Sequence, residues 1–127
     1  MIAPAKRILI VDDERELRSV LHEFLEEDGF DVLEAGNGRD ALDLLRATTI
    51  DLAIVDLFMP GMDGLELLSE LRKQDAAPKI VAISGGSETQ SGDIPLEVAC
   101  RLGASVGLAK PFDFEILLSH VKSCLEP

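Results

Sequence analysis

The chain reads as an α/β domain built on a parallel sheet with helices on both faces. Three observations predict this. Short apolar runs alternate with segments of helical periodicity along the whole chain, the order that produces βα units. The apolar runs are nearly continuous rather than alternating, as in strands buried on both faces. Gly, Asn and Pro signals separate them. Right-handed crossovers then place every strand's C-terminal end on one edge of the sheet, the edge where such sheets bind ligands.

The first strand is Arg7 to Val11, rich in Ile and Val. From Arg15 to Asp28, Leu17, Val20, Leu21, Phe24 and Leu25 fall on one helical face, predicted to be buried, and Gly29 supplies the stop. A short strand follows over Asp31 to Glu34. Asn37 is placed to cap a helix whose inner face is Ala41, Leu44 and Leu45. The third strand is Asp51 to Val55. Met59-Pro60-Gly61-Met62-Asp63-Gly64 is a loop by its Pro and Gly content, and Leu65, Leu67, Leu68 and Leu71 open the next helix. Lys79 to Ile83 is the fourth strand, followed by a polar, Gly-rich loop from Ser84 to Asp93. A helix with Pro95 in its first turn runs to Arg101 and stops at Gly103. Val106 to Ala109 is a fifth strand. Asp113 can cap a last helix whose face is Phe114, Leu117, Leu118, Val121 and Leu125.

Bulk properties narrow the function. A chain of 127 residues that is 46% hydrophobic can bury a core without disulfides. The net charge of -12 argues against direct nucleic-acid binding, which needs clustered Lys and Arg. Cys100 and Cys124 lack zinc-site spacing and are expected as buried or half-buried thiols, and no apolar run is long enough for a membrane span. Both fit a cytoplasmic protein. His22 and His120 fall inside helices and are expected to be exposed.

The chemistry lies at the strand ends. Asp12 and Asp13 close the first strand and Asp56 closes the third. An aspartate after an isolated strand usually caps the next turn, and Asp-Asp-Glu could simply start a helix at its positive end. Two acidic strand ends side by side are different, because like charges so close need a counter-cation or raised pKa values. A hard divalent ion such as Mg2+ meets that need. Lys110 precedes Pro111 at the fifth strand end, a candidate cis bond, and its ammonium would help balance the carboxylates. Ser84 offers a hydroxyl at the fourth. Together they suit phosphoryl transfer to a carboxylate. No P-loop, dinucleotide fingerprint or Ser-His-Asp elbow is present.

Ile8-Leu9-Ile10-Val11-Asp12-Asp13-Glu14, Asp51-Leu52-Ala53-Ile54-Val55-Asp56, Met59-Pro60-Gly61-Met62-Asp63-Gly64 and Lys110-Pro111-Phe112, in that order, resemble the receiver domain of bacterial two-component response regulators. The resemblance covers about Arg7 to Leu125, and the whole chain, 1–127, is expected as a single receiver domain. It implies the flavodoxin-like doubly wound sheet, five parallel strands in order 2-1-3-4-5 with five helices. It implies Asp56 as phosphoacceptor. Mg2+ (or Mn2+) would be held by Asp13 and Asp56, by Asp12 mainly through water, and by the backbone carbonyl of Phe58. Ser84, Gly85 and Lys110 would bind the phosphoryl group. The implied donor is a sensor histidine kinase or histidine phosphotransfer protein. The signal would pass to a downstream protein or a fused output domain, through a face that includes Val98, Arg101 and Val106. The chain is expected to phosphorylate and slowly dephosphorylate itself, not to act as a turnover enzyme.

Three departures stand out. Gly107 occupies the position of the family's aromatic switch residue. The stretch between Ser84 and Lys110 is longer, with its extra residues in the Gly85 to Asp93 loop. Phe58 and Gly86 replace polar groups near the attacking water. Phe58 also argues against a dehalogenase-type phosphatase, which needs a second Asp two residues after its nucleophile. A phosphorylation-independent interaction module is the remaining alternative, and Gly107 is the residue that leaves room for it.

Overall fold

In the computed structural model, residues 4–59, 64–74, 77–85 and 93–126 are described, the last segment without the side chains of 93–96. The elements are β1 (Arg7–Val11), α1 (Arg15–Glu27), β2 (Asp31–Ala35), α2 (Gly38–Ala47), β3 (Leu52–Asp56), α3 (Gly64–Leu71), β4 (Lys79–Gly85), α4 (Asp93–Arg101), β5 (Val106–Lys110) and α5 (Phe114–Leu125). The sheet order is β2-β1-β3-β4-β5 and every pairing is parallel, so the expected doubly wound fold is present. The order puts β1 beside β3, with Val11 opposite Val55. The two acidic strand ends are therefore neighbours.

The apolar strands divide their side chains between two layers. Leu9, Val11, Ala53 and Val55 pack with Ala41, Leu67, Leu68 and Leu71 on the face covered by α2 and α3. Ile8, Ile10, Leu52 and Ile54 pack with Leu21, Leu25, Leu117 and Val121 on the face covered by α1 and α5. A side chain of this size fully buried contributes roughly 1.5–3 kcal/mol, and both faces of β1 and β3 collect it. The strand ends are thus fixed by the best-packed part of the molecule.

Helix ends follow the local chemistry. Asn37 Oδ1 accepts from Asp40 N–H at 2.8 Å and starts α2. Asp113 Oδ1 accepts from Glu115 N–H at 2.7 Å and Ile116 N–H at 3.3 Å and starts α5. Gly29 and Gly103, with φ +97° and +110°, end α1 and α4 in the left-handed region where a side chain would be strained.

Several expectations need correction. β4 runs to Gly85, so Ser84 and Gly85 belong to the strand and not to the loop after it; pairing with Ala109 and Lys110 of β5 extends the ladder. β2 and β5 are likewise a residue longer, ending at Ala35 and Lys110, whereas Pro95 does lie in the first turn of α4, which starts at Asp93. Val20 is 56% exposed. The buried stripe of α1 centres on Leu21 and Leu25, and Val20 lies about 100° round the helix from Leu21, past the stripe's edge. Cys100 is exposed for the same reason, one position from the buried Ala99 of α4. His22 and His120 are half-buried rather than exposed. For His22 the cause is Glu34 on β2, which draws the imidazole against the sheet edge. The expected loop residues 60–63 and 86–92, Gly86 and Gly92 included, lie outside the described residues.

Candidate functional site

The site forms where β1, β3, β4 and β5 end. Asp12 follows β1 directly and is 2% exposed, and Asp56, the last residue of β3, is 3% exposed. Asp13 is exposed. Carboxylate oxygens of Asp12, Asp13 and Asp56 all lie within 4.8 Å of one another. Asp12 Oδ1 accepts from Glu14 N–H at 2.9 Å, tying the strand end to the entry of α1. Glu14, the N-cap of α1, makes no side-chain capping bond, so the acidic run holds a turn before the helix and does not cap it. Asp56 Oδ1 accepts from Phe58 N–H at 3.0 Å.

Lys110, the last residue of β5, reaches across the top of the sheet, and the Lys110–Pro111 bond is cis. Its Nζ lies 2.9 Å from Glu14 Oε1, 3.0 Å from Asp12 Oδ2 and 3.3 Å from Asp56 Oδ2. The Glu14 and Asp56 contacts are hydrogen bonds. The Asp12 contact has ion-pair distance without hydrogen-bond geometry, which leaves Asp12 Oδ2 buried and unbonded among the described residues. Glu14 was missed as a lysine partner, although it directly follows the acidic pair. An open depression of about 420 Å³ borders the lysine, with Glu14, Leu17, Gly85 and Phe112 in its wall.

The charges perturb each other in opposite directions. Burial raises the Asp56 carboxyl, the Asp12 charge adds to the rise, and the Phe58 N–H and Lys110 oppose it; the result is a carboxyl pushed up to about 6. For Lys110 burial works against the charged form, but the close carboxylates of Glu14, Asp12 and Asp56 outweigh it and hold the ammonium protonated. One cation thus faces three carboxylates, and Asp13 adds a fourth at the rim. A dense cluster of oxygens, with a buried Asp12 Oδ2 that has no hydrogen bond among the described residues, fits a hard divalent ion, which takes oxygen ligands and needs an open side for water.

Ser84 sits in β4 with its Oγ fully buried and without a hydrogen-bond partner among the described residues. A buried hydroxyl left unbonded is unusual. Gly85, half-buried, pairs with Lys110 in register, and Gly107 pairs with Ala82 one step below the site. Phe58 is 37% exposed at the rim. Gly64 is a further site residue that composition alone did not single out. Its N–H donates to Leu57 carbonyl at 3.2 Å. A Cβ there would collide with the Asp56 carbonyl oxygen and lie 2.6 Å from Leu57 Cα.

The profile of the response regulator receiver domain matches residues 8–122, almost the full length just described. The chain belongs to the response regulator receiver family. Among curated proteins it is 40% identical over 119 residues to the transcriptional regulatory protein CpxR of Escherichia coli (strain K12), covering 94% of this chain and 49% of CpxR. The chain therefore spans about half the length of the curated relatives it matches. Solved receivers superpose closely. The response regulator signal receiver domain from Bermanella marisrubri is 33% identical, with TM-score 0.86 over 96% of this chain and 99% of that one. The response regulator TrrA from Thermotoga maritima, solved in complex with Mg2+–BeF, is 37% identical, with TM-score 0.79 over 94% and 99%. The acidic cluster of this receiver is compatible with a metal ion, and no helix among the described residues is long and apolar enough to cross a membrane.

Proposed function

We propose that this receiver accepts a phosphoryl group on Asp56 and relays it as a change in protein–protein contacts. The observation that carries the reading is the buried Asp56 carboxylate held between Phe58 N–H and Lys110 Nζ, beside the Asp12–Asp13 pair. The donor is a phosphohistidine of a sensor histidine kinase or phosphotransfer protein. An Asp56 oxygen forms the new O–P bond as the N–P bond breaks, and the donor imidazole keeps the electron pair and takes up a proton from solvent. Mg2+, held by Asp12, Asp13, Asp56 and the Phe58 carbonyl, would neutralise charge on the phosphoryl oxygens when bound.

The chain's own residues do the rest. Lys110 trades part of its contact with Asp56 for a phosphoryl oxygen. Ser84 Oγ, buried and unbonded among the described residues, donates to another, and Gly85 lets the backbone approach. Phosphorylation adds nearly two negative charges, which attracts the Ser84 hydroxyl and the Lys110 ammonium to the phosphoryl group and biases a two-state element. Because position 107 is a glycine, no aromatic side chain there can take part in the switch. The readout is instead assigned to the segment after Gly85 and to the α4–β5–α5 face, with exposed Val98 and Arg101. The domain is a cytoplasmic signalling switch that dephosphorylates slowly and does not turn over a substrate. Its effect passes to a downstream protein or to an output region of a longer chain.

The test is intact-mass spectrometry after incubation with acetyl phosphate and Mg2+, on wild type and Asp56→Asn. A single phosphoryl adduct that requires Mg2+ and vanishes in the variant is the expected result. A folded, Mg2+-binding protein with no adduct from acetyl phosphate or from a phosphorylated histidine donor would favour a phosphorylation-independent interaction module.

A further inference from the structure

Arg18 on α1 has no place in the chemistry above, yet its guanidinium is directed at the acid pocket. Its Nη1 donates to the backbone carbonyl of Asp12 at 2.6 Å. Its Nε donates to Glu34 Oε1 on β2 at 3.0 Å. The side chain is 16% exposed, so the two bonds are sheltered from water. Glu34 is itself held on its other oxygen by His22 Nδ1 at 2.6 Å, and His22 Nε2 lies 3.2 Å from Glu26 Oε2. Arg18 alone touches the carbonyl, and Glu34, His22 and Glu26 form a chain of contacts behind its guanidinium.

That carbonyl belongs to the peptide unit joining Asp12 to Asp13. Around it, Asp12 N–H is bonded to the Ala35 carbonyl at 3.2 Å and Asp12 Oδ1 to Glu14 N–H at 2.9 Å. With Arg18 on the carbonyl and Lys110 Nζ 3.0 Å from Oδ2, every polar group of Asp12 has a partner. Rotation of this peptide plane would swing Asp13, whose carboxylate is exposed and has no hydrogen-bond or ion-pair partner among the described residues, relative to Asp12 and Asp56. A small divalent ion demands near-ideal octahedral geometry, so the angle of this peptide matters to binding. A planar guanidinium bridges the carbonyl and the carboxylate through two N–H groups fixed relative to one another, whereas a lysine places a point charge on a flexible stem.

We propose that Arg18, buttressed by Glu34 and His22, is a positioning residue that holds the Asp12–Asp13 peptide in the orientation required for divalent-ion binding. The inference rests on the reading of this pocket as a metal-assisted phosphoacceptor site. Outer partners of metal ligands typically contribute ten- to a hundredfold in affinity, and a neutral carbonyl anchor belongs at the lower end.

The experiment is calorimetric titration with Mg2+ alone, together with the Mg2+ dependence of acetyl-phosphate labelling, on wild type, Arg18→Ala, Arg18→Lys, Glu34→Gln and Arg7→Ala. Arg7 makes a comparable ion pair, Nε to Asp31 Oδ2 at 3.0 Å, at the opposite edge of the sheet. Arg18→Ala is expected to weaken Mg2+ about tenfold, and Arg18→Lys and Glu34→Gln by roughly threefold. Arg7→Ala should leave Mg2+ affinity unchanged whatever it does to melting. The half-saturating Mg2+ for labelling should rise in parallel, while the rate at saturating Mg2+ returns to near the wild-type value. Mg2+ affinity within twofold of wild type in the folded Arg18 variants overturns the inference. Should Arg18→Ala fail to fold, Arg18→Lys and Glu34→Gln decide it. Wild type that binds Mg2+ but is not labelled would defeat the phosphoacceptor reading, and the calorimetric comparison would still decide the role of Arg18.

Discussion

Replacing Gly64 with alanine should damage both the stability and the chemistry of this receiver. Gly64 begins α3 and packs against the peptide that follows the candidate phosphoacceptor. The added Cβ would collide with the Asp56 carbonyl oxygen and stand 2.6 Å from Leu57 Cα and 2.9 Å from the Asp56 carbonyl carbon. All three neighbours are backbone, so no side chain can swing aside. Restoring ordinary contact with Leu57 Cα needs a displacement of about 0.8 Å, given that van der Waals contact begins near 3.4 Å. β3 is buried on both faces and is locked between β1 and β4, so the first turn of α3 must yield and its bond to Leu57 carbonyl with it. Overpacking of this kind costs about 1–3 kcal/mol, and the upper part of that range applies where only backbone can move. The gain in helix propensity, at most about 1 kcal/mol, offsets part of it. The net loss is about 2 kcal/mol, or roughly 8 °C in Tm for a domain of this size. A shift approaching 1 Å at a reacting group can cost on the order of a hundredfold in rate. Thermal melts followed by circular dichroism, with Ser69→Ala on the exposed side of α3 as control, measure the first. Acetyl-phosphate labelling measures the second. A Tm within about 1 °C of wild type together with an unchanged labelling rate would refute the steric argument.

Three further outcomes are expected. The Asp56 carboxyl is raised from 3.8 to about 6, so the folded protein holds a proton there that the unfolded chain has released; the stability it contributes is full below pH 3.8 and is lost as pH rises through about 6. Without divalent ions, wild type should therefore gain Tm relative to Asp56→Asn on acidification from about pH 7 to about pH 5, and Mg2+, which competes with the proton, should raise Tm more at the higher pH; a Mg2+ effect independent of pH contradicts this. Val20→Lys should change stability by less than about 0.5 kcal/mol, as for other exposed positions, and a loss of several kcal/mol in a urea titration would restore Val20 to the core. Phe58→Asn should shorten the acyl-phosphate lifetime by replacing an apolar rim residue with a group that can orient water; an unchanged rate of phosphoryl loss by mass spectrometry would remove Phe58 from the control of hydrolysis.

Much of this molecule was legible in the chain itself because much of it is decided locally. Continuous apolar runs must be buried on both faces, Asn37 and Asp113 can satisfy helix N–H groups only as caps, and Gly29 and Gly103 permit the turns that end two helices. Those features predicted the βα alternation, and the acidic strand ends together with Lys110 predicted the pocket. What adjoins what across the sheet depended on strand order and on side-chain reach. Lys110 meets Glu14 across 96 positions of sequence, Arg18 meets Glu34 and the Asp12 carbonyl, and Gly64 is required by a backbone approach that residue type does not encode. Val20 and Cys100 were misplaced because helical periodicity defines a stripe but not its width, which is set by how closely each helix sits on the sheet. Sequence thus determined which residues lie at strand ends. Only the tertiary structure decided which of them share a charge, because Coulombic and steric contacts act over a few ångströms and take no account of distance along the chain.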